Sequence, residues 1–371
     1  MSAEVGHARA EPAASASARP KSARHMPSLD GIRAISFFLV FLSHAGLGEL
    51  VPGGFGVTVF FFLSGFLITT LMRAEFEKNR SVNFRHFWLR RALRILPPFY
   101  LVLLGTSLAA LIFDPPGTLS AAAVTALALH VTNYWVIWHG YGGQPAGTGV
   151  YWSLAVEEHF YLVFPLLYVG MQKWRLSPRG QVTLLWGLCA LVLLWRFVLV
   201  LAFHVPSSDR TYMATDTRVD SILFGCALAV WHNPALDVLS LNERRWKFLI
   251  IPGALAVLLA CLLYRAPVFR ETLRYSVQGM ALTLIFVAAL RFSEWLPFRF
   301  LNWRPVAFMG VLSYSLYLVH YAVIFAIDRI LPAGPQILKG VLALIVSVAL
   351  AWAIYEVIEK PCARWRKRLT D

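Results

Sequence analysis

At 371 residues, 58% hydrophobic and only 15% charged, with a mean hydropathy of +0.61, the chain lies outside the range of soluble globular domains. A net charge of +14 does not point to nucleic acid here. Lys and Arg gather in short segments between apolar runs, where they act as topology determinants facing anionic lipid. The four cysteines form neither a metal-ligand spacing nor a disulfide framework, and no metal or bound cofactor is expected.

Residues 1–28, rich in Ala, Ser, Pro and Arg, read as a disordered cytoplasmic tail, with no apolar segment of signal-peptide type. Apolar runs then predict an all-α polytopic membrane protein with about ten transmembrane helices. They fall at 32–50, 54–72, 94–113, 151–170, 182–203, 217–232, 248–264, 275–292, 306–328 and 337–357. One further run, 118–138, is interrupted by His130, Thr132 and Asn133. If it does not cross, 26 basic residues face the side of the N-terminus and seven face the other. If it crosses, the split becomes 19 against 14. The first distribution obeys the positive-inside rule, so 118–138 is expected to be re-entrant or interfacial, with both termini cytoplasmic. Residues 29–360 then form one membrane domain, followed by a basic cytoplasmic tail at 361–371. No internal repeat of the kind found in secondary transporters is seen.

On the first span, Arg33 and His44 are eleven positions apart. Eleven residues are three helical turns plus about 20°, so the two side chains share a face about 16 Å apart along the axis. With the helix starting near Gly31, Arg33 is expected at the membrane edge and His44 close to the bilayer midplane. An ionisable group at that depth is expensive to bury and marks a functional site. A cation at the rim and an imidazole deeper in suit a long anionic substrate reaching inward.

Several segments resemble one family. Ser28-Leu-Asp-Gly-Ile-Arg33 with His44 is similar to the Arg-x10-His signature of the membrane acyltransferase 3 family. Gly56-Val-x-x-Phe-Phe-Phe-Leu-Ser64-Gly-Phe-Leu-Ile68, Arg91-x-x-Arg94 with Pro97, and Trp152-Ser-Leu-Ala-Val-Glu157-Glu158-His-Phe-Tyr161 resemble its next elements. Arg218-x-Asp220 with Gly225, Ser313-Tyr-Ser-Leu-Tyr317 with His320, and Tyr355-x-x-x-Glu359-Lys-Pro361 resemble its later ones. The resemblance covers about residues 28–361. It implies transfer of an acyl group, acetyl foremost, from cytoplasmic acyl-CoA as co-substrate to a hydroxyl of a glycan or other acceptor at the inner membrane. Thr58 departs from it, where relatives often carry Asp, as does His159, where they often carry Gln.

Such a transfer needs a grip on the donor phosphates, a base for the alcohol and a stabiliser for the oxyanion. His44 is the expected base, because imidazole titrates nearest operating pH. Arg33, Arg91 and Arg94 suit the CoA diphosphate, since guanidinium forks bind phosphate bidentately. Glu157 is the second catalytic candidate, set to orient His44, position the acceptor or pair with a buried arginine such as Arg196 or Arg218. Glu158, pointing about 100° away on a helix, is not expected to serve the same site equally. Ser64 reads first as a helix-packing residue and second as a covalent nucleophile. Arg218 and Asp220 suit local pairing or the acceptor mouth, and Tyr317 and His320 suit the cavity wall. Two alternatives stay open: an acyl carrier serving a separate extracytoplasmic transferase partner, and an acyltransferase acting on a small metabolite such as a macrolide.

Overall fold

The computed structural model describes residues 27–205 and 208–368, and among these no strand occurs. In chain order, α1 (Ser28–Leu47), α2 (Gly53–Asn79) and α3 (Phe84–Phe113) are each long and apolar enough to cross a bilayer. Two short helices follow, α4 (Ala121–Ala128) and α5 (Thr132–His139). At eight residues each they rise about 12 Å, too little for a ~30 Å hydrocarbon core. The left-handed backbone of His130 (φ 54°) breaks the chain between them, so 118–138 forms no single membrane-length helix.

Next come α6 (Thr148–Lys173), α7 (Pro178–Ala202), the short α8 (Ser208–Met213) and α9 (Thr215–Val230). Beyond them lie α10 (Glu243–Leu263), α11 (Leu273–Arg291), α12 (Arg304–Val311), α13 (Ser313–Ile330) and α14 (Gln336–Arg366). Eight of these helices meet the length and hydropathy of a membrane span, and α12 with α13, bent by 73°, makes a ninth. The tenth expected span, 217–232, is α9. It has 16 residues, about 24 Å, and is buried along almost its whole length. Because protein surrounds it, α9 need not match the lipid thickness.

Glycines let α9 sit at the centre. A Cβ on Gly65 of α2 would lie 2.0 Å from the Ile222 carbonyl oxygen, and one on Gly225 of α9 would lie 2.0 Å from that of Phe62. The two backbones thus touch at reciprocal positions, the small-residue packing that membrane helices use. Two fully buried arginines then tie α9 to its neighbours. Arg196 of α7 bonds Asp220 at 2.7 Å, Ser276 Oγ at 2.7 Å and the Thr217 and Thr272 carbonyls. Arg218 donates to the Tyr212 carbonyl and to Thr58 Oγ1.

The tail expected over residues 1–28 lies outside the described residues, except that Pro27 and Ser28 open the first helix. Ser28 Oγ anchors that start by donating to Asn302 Oδ1 at 3.0 Å. Residues 361–368 of the basic tail continue α14 as helix.

Candidate active site

Two cavities enter the bundle from opposite ends. The first lies near the ends of α1 and α3 that carry Arg33, Arg91 and Arg94, and has a volume of about 100 Å³. The second, of about 450 Å³, holds His44. Val57 and Tyr317 line both, so the cavities meet at those two side chains.

The basic cavity is assembled from local rules. Asn83 caps α3 by accepting from the His86 amide, which fixes the register that brings Arg91 and Arg94, three apart, onto one face. Arg33, one turn into α1, is held by Asp30 at 2.6 Å. The Arg91 guanidinium lies over the Tyr161 ring, 4.9 Å from its centroid. Tyr161 donates to Glu157 Oε2 at 2.9 Å, and its oxygen shares a short hydrogen bond with Ser64 Oγ. With Glu157 ionised, and so only accepting, the order is Ser64 O–H to Tyr161 and Tyr161 O–H to Glu157.

The sequence expectations meet this geometry unevenly. Arg33, Arg91 and Arg94 converge as expected, and Glu157 shares their cavity. Glu158 lines it too, because the cavity wraps around α6 widely enough to take two neighbouring positions. Glu157 reaches neither His44 nor a buried arginine; the partner of Arg196 is Asp220. The close approach to α9 is made by Gly65, which leaves Ser64 turned to the cavity wall. Arg218 and Asp220 line neither cavity. Arg218 is enclosed by Phe61, Trp152, Tyr212 and Tyr275, the last ring centroid 4.0 Å away. Tyr161 stood unweighed in the sequence, although its spacing of four from Glu157 puts both on one helical face.

Thirteen residues from Gly31 place His44 about 20 Å along the axis of α1. The helix ends at Leu47, so His44 occupies its last turn. Gly46 unwinds that turn with φ 98°, a conformation glycine adopts without steric cost, and Gln336 Nε2 secures it by donating to the Ala45 carbonyl at 3.0 Å. His44 Nδ1 lies 3.0 Å from Nε2 of fully buried His320.

Aromatic side chains line the cavity along with His44: Tyr141, Trp152, Tyr212, Tyr321 and Phe325. Tyr321 lies closest, 4.5 Å between ring centroids. Outside the spans, burial raises the phenols of Tyr141 and Tyr212 above their ordinary range, so both stay neutral. Gly53, Gly54 and Gly147 leave room along the wall. At the junction, Tyr317 O–H donates to the Val150 carbonyl at 2.9 Å and lies 2.7 Å from Ser153 Oγ.

The family model described as "Acyltransferase domain" matches residues 26–356. The peptidoglycan O-acetyltransferase OatA of Listeria monocytogenes is 30% identical over 92% of this chain and 56% of its own length. The O-acetyltransferase OatA of Staphylococcus aureus is 29% identical over 92% of this chain and 57% of its own. The chain thus spans a little over half the length of these curated relatives, and no solved structure matches it. A nearly full-length match on a bundle of eight or nine membrane-length helices, with an arginine-lined cavity meeting a histidine-bearing one, places this chain in the acyltransferase-domain family as a multi-pass membrane protein.

Proposed function

We propose that this protein is an O-acyltransferase that carries an acetyl group from acetyl-CoA at the basic end of the bundle to a glycan hydroxyl in the opposite cavity. The observation that carries the reading is the shared wall: two cavities of contrasting chemistry, from opposite ends, meet at Val57 and Tyr317. The basic cavity joins Arg33, Arg91 and Arg94 to the apolar side chains of Phe60, Phe61 and Leu67, a lining that suits the charged and the slender parts of CoA in turn. The CoA phosphates then rest on Arg33, Arg91 and Arg94, with the basic end cytoplasmic. The larger cavity, rimmed by aromatic rings, suits the apolar faces of a sugar.

In the reaction, His44 Nε2 takes the proton of the acceptor hydroxyl while its oxygen attacks the thioester carbonyl carbon. The tetrahedral intermediate collapses by breaking the C–S bond, and the proton on His44 passes to the leaving CoA thiolate. A glycan acceptor is favoured by the aromatic lining and by the peptidoglycan named for the Listeria relative.

A second reading rests on Ser64. Its hydroxyl is hydrogen-bonded through Tyr161 to Glu157, a chain along which its proton can pass as its oxygen attacks the thioester carbon; the C–S bond then breaks, and the proton returns to the leaving CoA thiolate. The acetyl group would then wait on Ser64, short of the junction, for the acceptor or for a separate extracytoplasmic transferase.

The test is purified protein in nanodiscs with radiolabelled acetyl-CoA and soluble glycan fragments. Acetylated glycan from the wild type and none from folded His44→Ala is the expected result. Near-normal turnover by His44→Ala overturns the first reading, and label retained by the protein but lost in Ser64→Ala establishes the second.

A further inference from the structure

His44 has two ring nitrogens, and only an unprotonated one can act as a base. Which one that is follows from a chain of hydrogen bonds read from its far end. His320 Nδ1 lies 2.8 Å from the Tyr317 backbone carbonyl, and a carbonyl oxygen has nothing to donate. Nδ1 of His320 therefore carries its proton, and in the neutral ring Nε2 is left as an acceptor. The ring is fully buried, with Phe37 packed edge-on at 5.7 Å and 88° and Phe41 beside it. Among the described residues no carboxylate bonds it, so a charge there would go uncompensated.

The next link has one direction left. His320 Nε2 accepts, so His44 Nδ1 must donate across their 3.0 Å contact. The two rings are 11° from parallel with centroids 5.3 Å apart. That separation is the N···N distance plus a ring radius at each end, so the rings meet edge to edge in a common plane, as a good hydrogen bond requires. With Nδ1 protonated, His44 keeps its lone pair on Nε2, the atom not engaged with His320, in the cavity that His44 lines.

We infer that His320 is a positioning residue: by accepting from His44 Nδ1 it holds His44 in the tautomer whose Nε2 is free to take the acceptor's proton. The inference rests on the reading of His44 as the base. His320 touches no reacting atom. It plays the orienting part that the carboxylate plays in a serine-protease triad, but as a neutral imidazole fixed by a backbone carbonyl. The arrangement also serves the next step, because a protonated His44 still donates from Nδ1 to the same acceptor.

The test uses the full chain in nanodiscs with acetyl-CoA and glycan fragments. His320→Leu fills the space without an acceptor, and His320→Gln restores an amide oxygen near the position of Nε2. Turnover is expected to fall at least about tenfold in His320→Leu, with KM for both substrates unchanged, and to recover substantially in His320→Gln. Solid-state 15N spectra of histidine-labelled protein, assigned by difference against His44→Ala, are expected to show His44 protonated at Nδ1. They check the wild type directly, whether or not the His320 variants fold. A His44 signal protonated at Nε2, or folded His320→Leu with wild-type turnover, overturns the inference, as does folded His320→Gln no better than His320→Leu. Full turnover by His44→Ala instead overturns the parent reading, and the two failures are distinct.

Discussion

Tyr317 and Ser153 share a 2.7 Å hydrogen bond at the junction of the two cavities, and the Tyr317 hydroxyl is held there a second time by the Val150 carbonyl. A phenol tied to the α6 end by two bonds is a fixed partition rather than a free rotor. On the proposed reading, that partition would keep water in the larger cavity from a thioester in the smaller one. Tyr317→Ala is expected to open the junction. It should raise CoA release without acceptor several-fold and let acyl groups longer than acetyl pass, read as free thiol across an acyl-CoA series. Unchanged hydrolysis and an unchanged acyl preference would show that the partition lies elsewhere.

Arg196 of α7 and Asp220 of α9 form an ion pair between the two helices. Both side chains are fully buried at 2.7 Å, and Ser276 and two backbone carbonyls complete the network. Removing one partner of a buried pair leaves the other charge unpaired, a cost of about 3–5 kcal/mol. Asp220→Ala is therefore expected to lower the thermal midpoint in detergent markedly. The double variant Arg196→Met/Asp220→Leu should recover much of the loss. Two equally damaging singles with no recovery in the double would assign the effect to packing instead.

How much of this was legible beforehand depends on range. Apolar run length exposed the spans, because a bilayer imposes its thickness residue by residue, and charge bias kept α4 and α5 from crossing. Arg33, Arg91 and Arg94 were legible for the same reason: they belong to basic segments that adjoin apolar runs. The unwound turn that holds His44 was not, since it depends on the left-handed backbone at Gly46 and on Gln336, nearly three hundred residues away. Nor was the path from Ser64 through Tyr161 to Glu157, because only the docking of α2 on α6 brings Ser64 to Tyr161. Arg196 with Asp220 was missed likewise: their partnership is made by the packing of α7 on α9, and spacing along the chain says nothing of it.

The reciprocal glycines make a sharper stability prediction than any side chain. A Cβ at Gly65 or Gly225 would sit 2.0 Å from a backbone oxygen, far inside contact distance, and neither carbonyl can swing away without breaking its own helix. Either Gly65→Ala or Gly225→Ala is expected to push α2 and α9 apart and to lower the yield of monodisperse protein several-fold. Gly105→Ala, where a Cβ would meet nothing within 4 Å, is the matched control and should behave as wild type. Equal behaviour of all three would mean that α2 and α9 do not touch as described.

Arg91 and Arg94 share a wall with Arg33. On the proposed reading their contacts go to the CoA diphosphate, and the acyl-bearing arm is held elsewhere. Arg91→Gln or Arg94→Gln is expected to raise KM for acetyl-CoA about tenfold or more while leaving KM for acetyl-pantetheine, which lacks the phosphates, nearly unchanged. Arg91→Lys should recover only part of the loss, because an ammonium keeps the charge but not the bidentate fork or the planar stack on Tyr161. If both thioesters weaken equally in the Gln variants, the arginines hold the bundle together instead of gripping CoA. Melting curves on the same preparations would then show the loss of stability directly.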